Sequence, residues 1–203
     1  MIKNKIDLRH YILEDQRVYG YPFHHSIWGY FTYWLFPDLN LQFLCCLRHL
    51  EYYLNCVGGG IFRKIMLFCY LCRYSHLKAI TGIDIHPNCV GPGFHVPHGK
   101  IVVNSSAKIG ANCRMMPDVT IGGHGSYSIS GAPQIGDRVY IGTGARILGK
   151  IQIADDVVIG ANAVVTKDIL ERRTTWAGIP ARKIADKGSA PFLRLPNKNP
   201  WEI

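Results

Sequence analysis

Residues 135–165 read IGDRVYIGTGARILGKIQIADDVVIGANAVV. Aliphatic residues return at every sixth place: Ile135, Ile141, Ile147, Ile153, Ile159 and Val165. Four places after most of them stands a compact residue, such as Val139, Ala145, Val157 or Ala163, and glycine directly follows Ile135, Ile141 and Ile159. A period of six is neither the 3.6 of a helix nor the 2 of a half-buried strand. It is the period of a parallel β-helix, in which six residues make one flat side of a prism and three sides make a coil. The aliphatic residue fills the axis, the compact residue fits the corner, and glycine permits the bend.

The same phase runs backwards through Ile121, Met115, Ile109, Val103, Pro97, Gly91 and Ile85. Eleven of the thirteen axial positions are Ile, Val or Met, where composition alone would give roughly three or four. Cys89 and Cys113 fall on compact positions and read as packing residues, because a buried thiol behaves as a small hydrophobe. The phase breaks once. From Ile121 to Ile135 is fourteen residues rather than six, so a loop at about 124–134 protrudes from one face, where solenoids often bind ligands. The expected fold is mainly β, with a helical region over 1–78, a β-helix over 79–169 and a closing segment over 170–203.

Ahead of the repeat, the segments 41–56 and 61–78 carry apolar residues at three- and four-residue spacing, broken by Gly58-Gly59-Gly60. Neither is free of charge for the eighteen residues a membrane span requires. Such aromatic, basic helices either pack on each other and on a sister subunit, the usual use of an apolar stripe, or touch a membrane face peripherally. Cys69 and Cys72 have C-x-x-C spacing without a second pair or a nearby ligand histidine, so no metal is expected. Seven cysteines and the lack of a hydrophobic leader after Met1 point to the reducing cytoplasm, at the inner membrane face if the helices meet lipid. The formal net charge of +9 suits an anionic small molecule. No long Lys/Arg block is present, and nucleic acid is not expected as a partner.

Polar residues crowd the first turns, GIDIHPNCVGPGFHVPHGKIVV at 82–103. The six-residue phase puts Asp84 and His98 on outward positions, His95 on a compact or corner position as a structural histidine, and His86 in the turn after Asp84.

Several motifs resemble the hexapeptide-repeat acyltransferases, in particular their serine acetyltransferase-like branch: TGIDIHP at 81–87, His98-Gly99 before IVV, VTIGG at 119–123, IGTGARILGKIQI at 141–153, IGANAVV at 159–165 and AGIPARKI at 177–184. The resemblance implies a left-handed β-helix, a homotrimer (with paired trimers if the front helices meet) and acetyl-CoA held between adjacent prisms. His98 would be the general base that takes a proton from an acceptor hydroxyl, with Asp84 orienting the ring. Their fourteen-residue separation differs slightly from the usual spacing. A backbone N–H of Ile121-Gly122-Gly123 would meet the developing oxyanion. Gly123, Thr143 and Ala161 would line the pantetheine arm, Pro180 would contact adenine, and Arg182, Lys183 or Lys167 would meet the phosphates.

The acceptor is read from the loop. Serine acetyltransferases usually carry Asp-Arg-His-Pro there, whereas this chain has Ser130-Gly131-Ala132-Pro133, and Asn104 stands where an acid is expected. His124, Tyr127 and Gln134 offer neutral contacts that suit a saccharide hydroxyl of a surface polysaccharide or its precursor. The alternatives are L-serine, a zinc protein like the γ-class carbonic anhydrases built on His95, His98 and His124, and a non-catalytic scaffold.

Overall fold

The computed structural model describes residues 1–20, 38–56, 60–123, 125 and 131–195. Three helices precede the strands among these residues: α1 (Lys5–Tyr19), α2 (Leu39–Asn55) and α3 (Gly60–Thr81). Asn4 caps α1 by accepting from the amides of Ile6 and Asp7, and Asp38 caps α2 by accepting from those of Asn40 and Leu41. Gly20 ends α1 in the left-handed conformation, with φ at 74°.

Thirteen short strands follow among the described residues: β1 (Ile83–Ile85), β2 (Ile101–Val103), β3 (Lys108–Ile109), β4 (Arg114–Met115), β5 (Thr120–Gly122), β6 (Gln134–Ile135), β7 (Tyr140–Ile141), β8 (Arg146–Leu148), β9 (Gln152–Ile153), β10 (Val158–Ile159), β11 (Val164–Val165), β12 (Thr175–Ala177) and β13 (Arg182–Ala185). They form the three sides of a prism. The first sheet is β1-β2-β5-β8-β11, the second β3-β6-β9, and the third β13-β12-β10-β7-β4. Every pairing is parallel except the closing β12–β13 hairpin.

Ile85, Val103, Ile109, Met115, Ile121, Ile135, Ile141, Ile147, Ile153, Ile159 and Val165 are all buried along the axis, each contributing about 1.5–3 kcal/mol of apolar burial. Partners are eighteen residues apart where the coils stack regularly (Val103 with Ile121) and twenty-six apart across the excursion (Ile109 with Ile135). The eight extra residues therefore leave the prism between β5 and β6 without disturbing the stack. Cys89 and Cys113 are buried, and burial pushes the Cys113 thiol up to about 12.

The first coil departs from the sequence expectation. Val90 pairs with Ile109 and His95 with Arg114, so Val90 and Val96 fill the axis, and Gly91 and Pro97 do not. The axial steps there are five, six and seven residues (85 to 90, 90 to 96, 96 to 103) instead of three sixes. The reason is side-chain volume, because glycine has nothing to place on the axis while valine does. Gly91 instead stacks on Gly110, where a Cβ would lie 2.7 Å from the Gly110 carbonyl carbon.

The helices close the open end of the prism. Phe43, Leu44, Cys46 and Leu47 of α2 join Phe94, Val96 and Ile83 in one continuous core. A buried cluster joins the layers: Arg48 donates to Asp15 at 2.8 Å, to Glu51 at 3.2 Å, and to the carbonyls of Val90 and Gly91 at 2.8 and 2.6 Å. Asp15 also accepts from the Phe94 amide at 3.0 Å, and Glu51 from the Asn88 amide at 2.7 Å. Burial pulls the guanidinium pKa down, but the two carboxylates outweigh it and hold Arg48 above its ordinary range. The tail returns along the third sheet: Phe192 stacks on Tyr140, its carbonyl accepts from Arg114, and Arg194 donates to Val18 of α1.

Candidate active site

Left-handed residues mark the corner between the third and first sheets: Lys100, Asp118, Gly144 and Asn162, with φ of 63°, 61°, 73° and 56°. The preceding residues, Gly99, Pro117, Thr143 and Ala161, therefore form a column down one edge of the prism. Consecutive coils are joined there by Asp118 N–H to Lys100 O, Gly144 N–H to Pro117 O and Asn162 N–H to Thr143 O, at 2.8–2.9 Å. The seven-residue step between Val96 and Val103 gives the topmost turn of this column one residue more than its neighbours. His98 lies in that extra length, with its side chain exposed.

The turn is held from outside the prism. Asn40 of α2 donates to the carbonyls of Val96 and Pro97 at 3.2 and 3.1 Å, and Tyr19 of α1 donates to Val96 O at 2.8 Å. A Cβ on Gly99 would collide with the Thr81 carbonyl at the end of α3, so only glycine fits after His98. Arg146 adds a staple lower on the column, donating to the carbonyls of Asp118 and Gly144. Periodicity gives no sign of Tyr19, Asn40 or Arg146 as supports, because each acts across a gap between coils or from another element.

Asp84 is on β1, facing outward as expected, but its carboxylate meets Lys78 of α3 at 2.7 Å and His86 at 4.0 Å. Among the described residues no carboxylate lies within ion-pair distance of His98. The Asp84–His98 pairing implied by the resemblance is therefore not formed here: the α3 ammonium takes the carboxylate.

His95 is buried, 8% exposed, and is structural as expected, but its place differs. In register with Arg114 rather than at a compact or corner position, it lies outside the prism with its ring edge-to-face on Tyr19 at 4.7 Å. Burial, then Arg114, Arg194 and His98, lower its pKa to about 3. Unfolded, it titrates near 6.5. Between those values the unfolded chain binds a proton the folded chain refuses, so this contribution is complete above pH 6.5 and is lost as pH falls toward 3. Going from pH 7 to 5 should cost about 2 kcal/mol from this group. A falling unfolding midpoint that flattens in His95→Phe is the expected melting result; an equally steep fall in the variant would refute it.

Thr143 and Ala161 share the His98 column. Gly123 does not, since it follows β5 of the first sheet and lies at the next corner, as does Lys167 after β11. Pro180 belongs to the closing turn and Arg182 opens β13 directly after it: Gly178 O accepts from Val164 N–H at 3.0 Å, and Ala181 N–H donates to Val164 O at 2.8 Å. Both are exposed. Lys183 is engaged by Glu171 at 2.5 Å and Asp186 at 2.7 Å, so among the described residues its charge is already matched. Gln134 opens β6 and is exposed; His124 and Tyr127 lie outside the described residues. No group of three potential metal ligands converges among the described residues.

A β-helix of hexapeptide coils with an exposed histidine at the head of a corner column defines the class, a hexapeptide-repeat transferase. The family model for the bacterial transferase hexapeptide (six repeats) matches residues 132–167. A serine acetyltransferase of Synechococcus elongatus is 39% identical over 117 residues, covering 56% of this chain and 48% of its own length. One from Helicobacter pylori is 42% identical over 109 residues, covering 53% and 63%. Soybean serine acetyltransferase superposes with a TM-score of 0.69 at 30% identity, over 89% of this chain and 70% of that one. The Brucella abortus serine acetyltransferase in complex with coenzyme A gives 0.69 at 28%, over 91% and 70%. The chain belongs to the hexapeptide-repeat acyltransferases, in the serine acetyltransferase-like branch, and has their left-handed β-helix. It spans about half to three-fifths of the length of these two curated relatives.

Proposed function

We propose that the chain is an O-acetyltransferase that moves an acetyl group from acetyl-CoA to a hydroxyl, acting as a trimer. The observation that carries this is the column of Gly99, Pro117, Thr143 and Ala161 headed by His98. Its three coil steps span about 14 Å at the usual strand spacing, a run of backbone suited to an extended pantetheine arm. The corner bearing Gly123 on a neighbouring prism would complete the groove, which reconciles its separation from Thr143 and Ala161 within one chain. Arg182, exposed at the start of β13, would meet phosphate.

His98 accepts the proton of the acceptor hydroxyl as its oxygen attacks the thioester carbonyl, and returns that proton to the departing thiolate. Asn40 and Tyr19 keep the turn from shifting. Asn40→Ala is expected to lower kcat about tenfold by loosening the base, leaving KM for acetyl-CoA unchanged. Steady-state kinetics check this, and a change confined to KM would assign Asn40 another role.

For the acceptor, the relatives' names favour L-serine, which reverses the order drawn from the sequence. A saccharide hydroxyl remains a second reading on one specific observation: the loop has Ser130-Gly131-Ala132-Pro133 and no charged residue to pair with an amino-acid zwitterion. Release of free CoA from acetyl-CoA, followed with L-serine and with a panel of sugars and sugar nucleotides, decides between them. Turnover with serine alone supports the first reading. Turnover with sugars alone supports the second, and no turnover with either counts against acetyl transfer to these hydroxyls.

A further inference from the structure

We infer that the outward face of α3 is a docking surface for an anionic phospholipid bilayer. This inference is independent of which hydroxyl is acetylated. One side of α3 packs inward through Tyr70, Tyr74 and Leu77. On the opposite side, Ile61, Ile65, Phe68 and Cys72 fall at i, i+4, i+7 and i+11, one row along the helix. Ile61 is 73% exposed, Ile65 52% and Phe68 68%, and Cys72 is exposed as well. Phe62, 67% exposed, widens the row. A helix that is apolar on both sides is ordinarily buried on both, so this row calls for a cover.

Charge selects the occupant. Residues 60–81 contain Arg63, Lys64, Arg73 and Lys78 and no Asp or Glu; Lys78 is taken by Asp84 and Arg63 donates to the Tyr53 carbonyl of α2, so the charge nearest the row is that of Lys64. Lys64, exposed, lies on one shoulder of the apolar row, where its stem can follow the row into the interface while its charge stays at headgroup level; Arg73 lies beyond Phe62 on the α2 side, where it donates to Gln42 at 3.3 Å. A second copy packed face to face would bring like charges together, with no acid on the helix to pair with them. An anionic bilayer meets both features at once. The row from Ile61 to Cys72 is about 18 Å long, and no helix among the described residues is long and apolar enough to cross a membrane, so the helix lies along the surface. The C-terminal end of α3 abuts the His98 turn, where Lys100 N–H donates to Thr81 O at 3.4 Å, so the apolar row lies at the end of the helix remote from the column.

Full-length protein is sedimented with vesicles of phosphatidylcholine alone and of phosphatidylcholine mixed with phosphatidylglycerol. Binding to the anionic vesicles only, weakened by salt, is expected. The double substitution Ile65→Gln/Phe68→Gln should reduce it by about tenfold or more, and Lys64→Glu should reduce it independently. Both variants alter exposed side chains and should keep the wild-type melting curve and the wild-type rate with a soluble acceptor. Equal binding to both vesicle types, no binding to either, or undiminished binding by the variants would overturn the inference. So would a light-scattering mass that halves in the double variant, which would assign the face to a second copy.

Discussion

Replacing His98 with alanine is expected to lower kcat by about 10²–10⁴-fold, the usual contribution of a positioned general base. The side chain is exposed, so its removal leaves no cavity and the melting curve should not move. Acetyl-CoA binding should also persist, because the proposed column offers main-chain groups of Thr143 and Ala161 that the substitution leaves alone. A fall in kcat with an unchanged KM for acetyl-CoA is therefore the specific signature. A loss of less than about threefold would remove the imidazole from the mechanism, since that is well below the usual general-base contribution. The full range is expected even without a carboxylate partner: Asp84 faces Lys78, and the backbone that carries His98 is held by Asn40, Tyr19 and the tight Gly99 turn.

The largest expected loss of stability follows from Arg48→Met. It leaves the carboxylates of Asp15 and Glu51 sealed in the junction without their cation, an arrangement that typically costs about 3–5 kcal/mol. Against the total of about 5–15 kcal/mol usual for a folded domain, that is at least about a fifth of the margin. Replacing a buried ion cluster wholly with apolar residues is often neutral or better, but not here. Arg48, Asp15 and Glu51 also pair with Val90 O, Gly91 O, Phe94 N–H and Asn88 N–H. An apolar triple variant strands these four backbone groups, at about 1–3 kcal/mol for each that stays dry. Urea unfolding followed by circular dichroism, at fixed protein concentration, should rank wild type above both variants. A triple variant as stable as wild type would show that the cluster does not hold the first coil.

That cluster also explains where sequence reading stopped. The six-residue phase carried straight through residues 85–103 assigns Gly91 and Pro97 to the axis. A usable signal was present, since Val90-Gly91 repeats the Ile109-Gly110 and Ile135-Gly136 pattern in which glycine follows the axial residue. The short and long steps cancel over one coil, so the phase downstream shows no trace of them. What makes the short step tolerable is remote in sequence: Arg48 and Asp15 pair with the backbone of residues 90–94.

The sequence by itself determined the prism, its axial residues from Val103 to Val165 and the point where an excursion leaves it. Those features follow from one requirement, that a side chain pointing into a closed coil be apolar and of the right size, and a period along the chain records that requirement directly. Only the tertiary structure decided that His98 stands in an extra-long corner above Thr143 and Ala161, that Asp84 is paired with Lys78, and that His95 lies outside the prism under Tyr19. Outward-facing side chains take their neighbours from other coils and from the helices, so their environment depends on the packing of segments far apart in the chain, and no period records it.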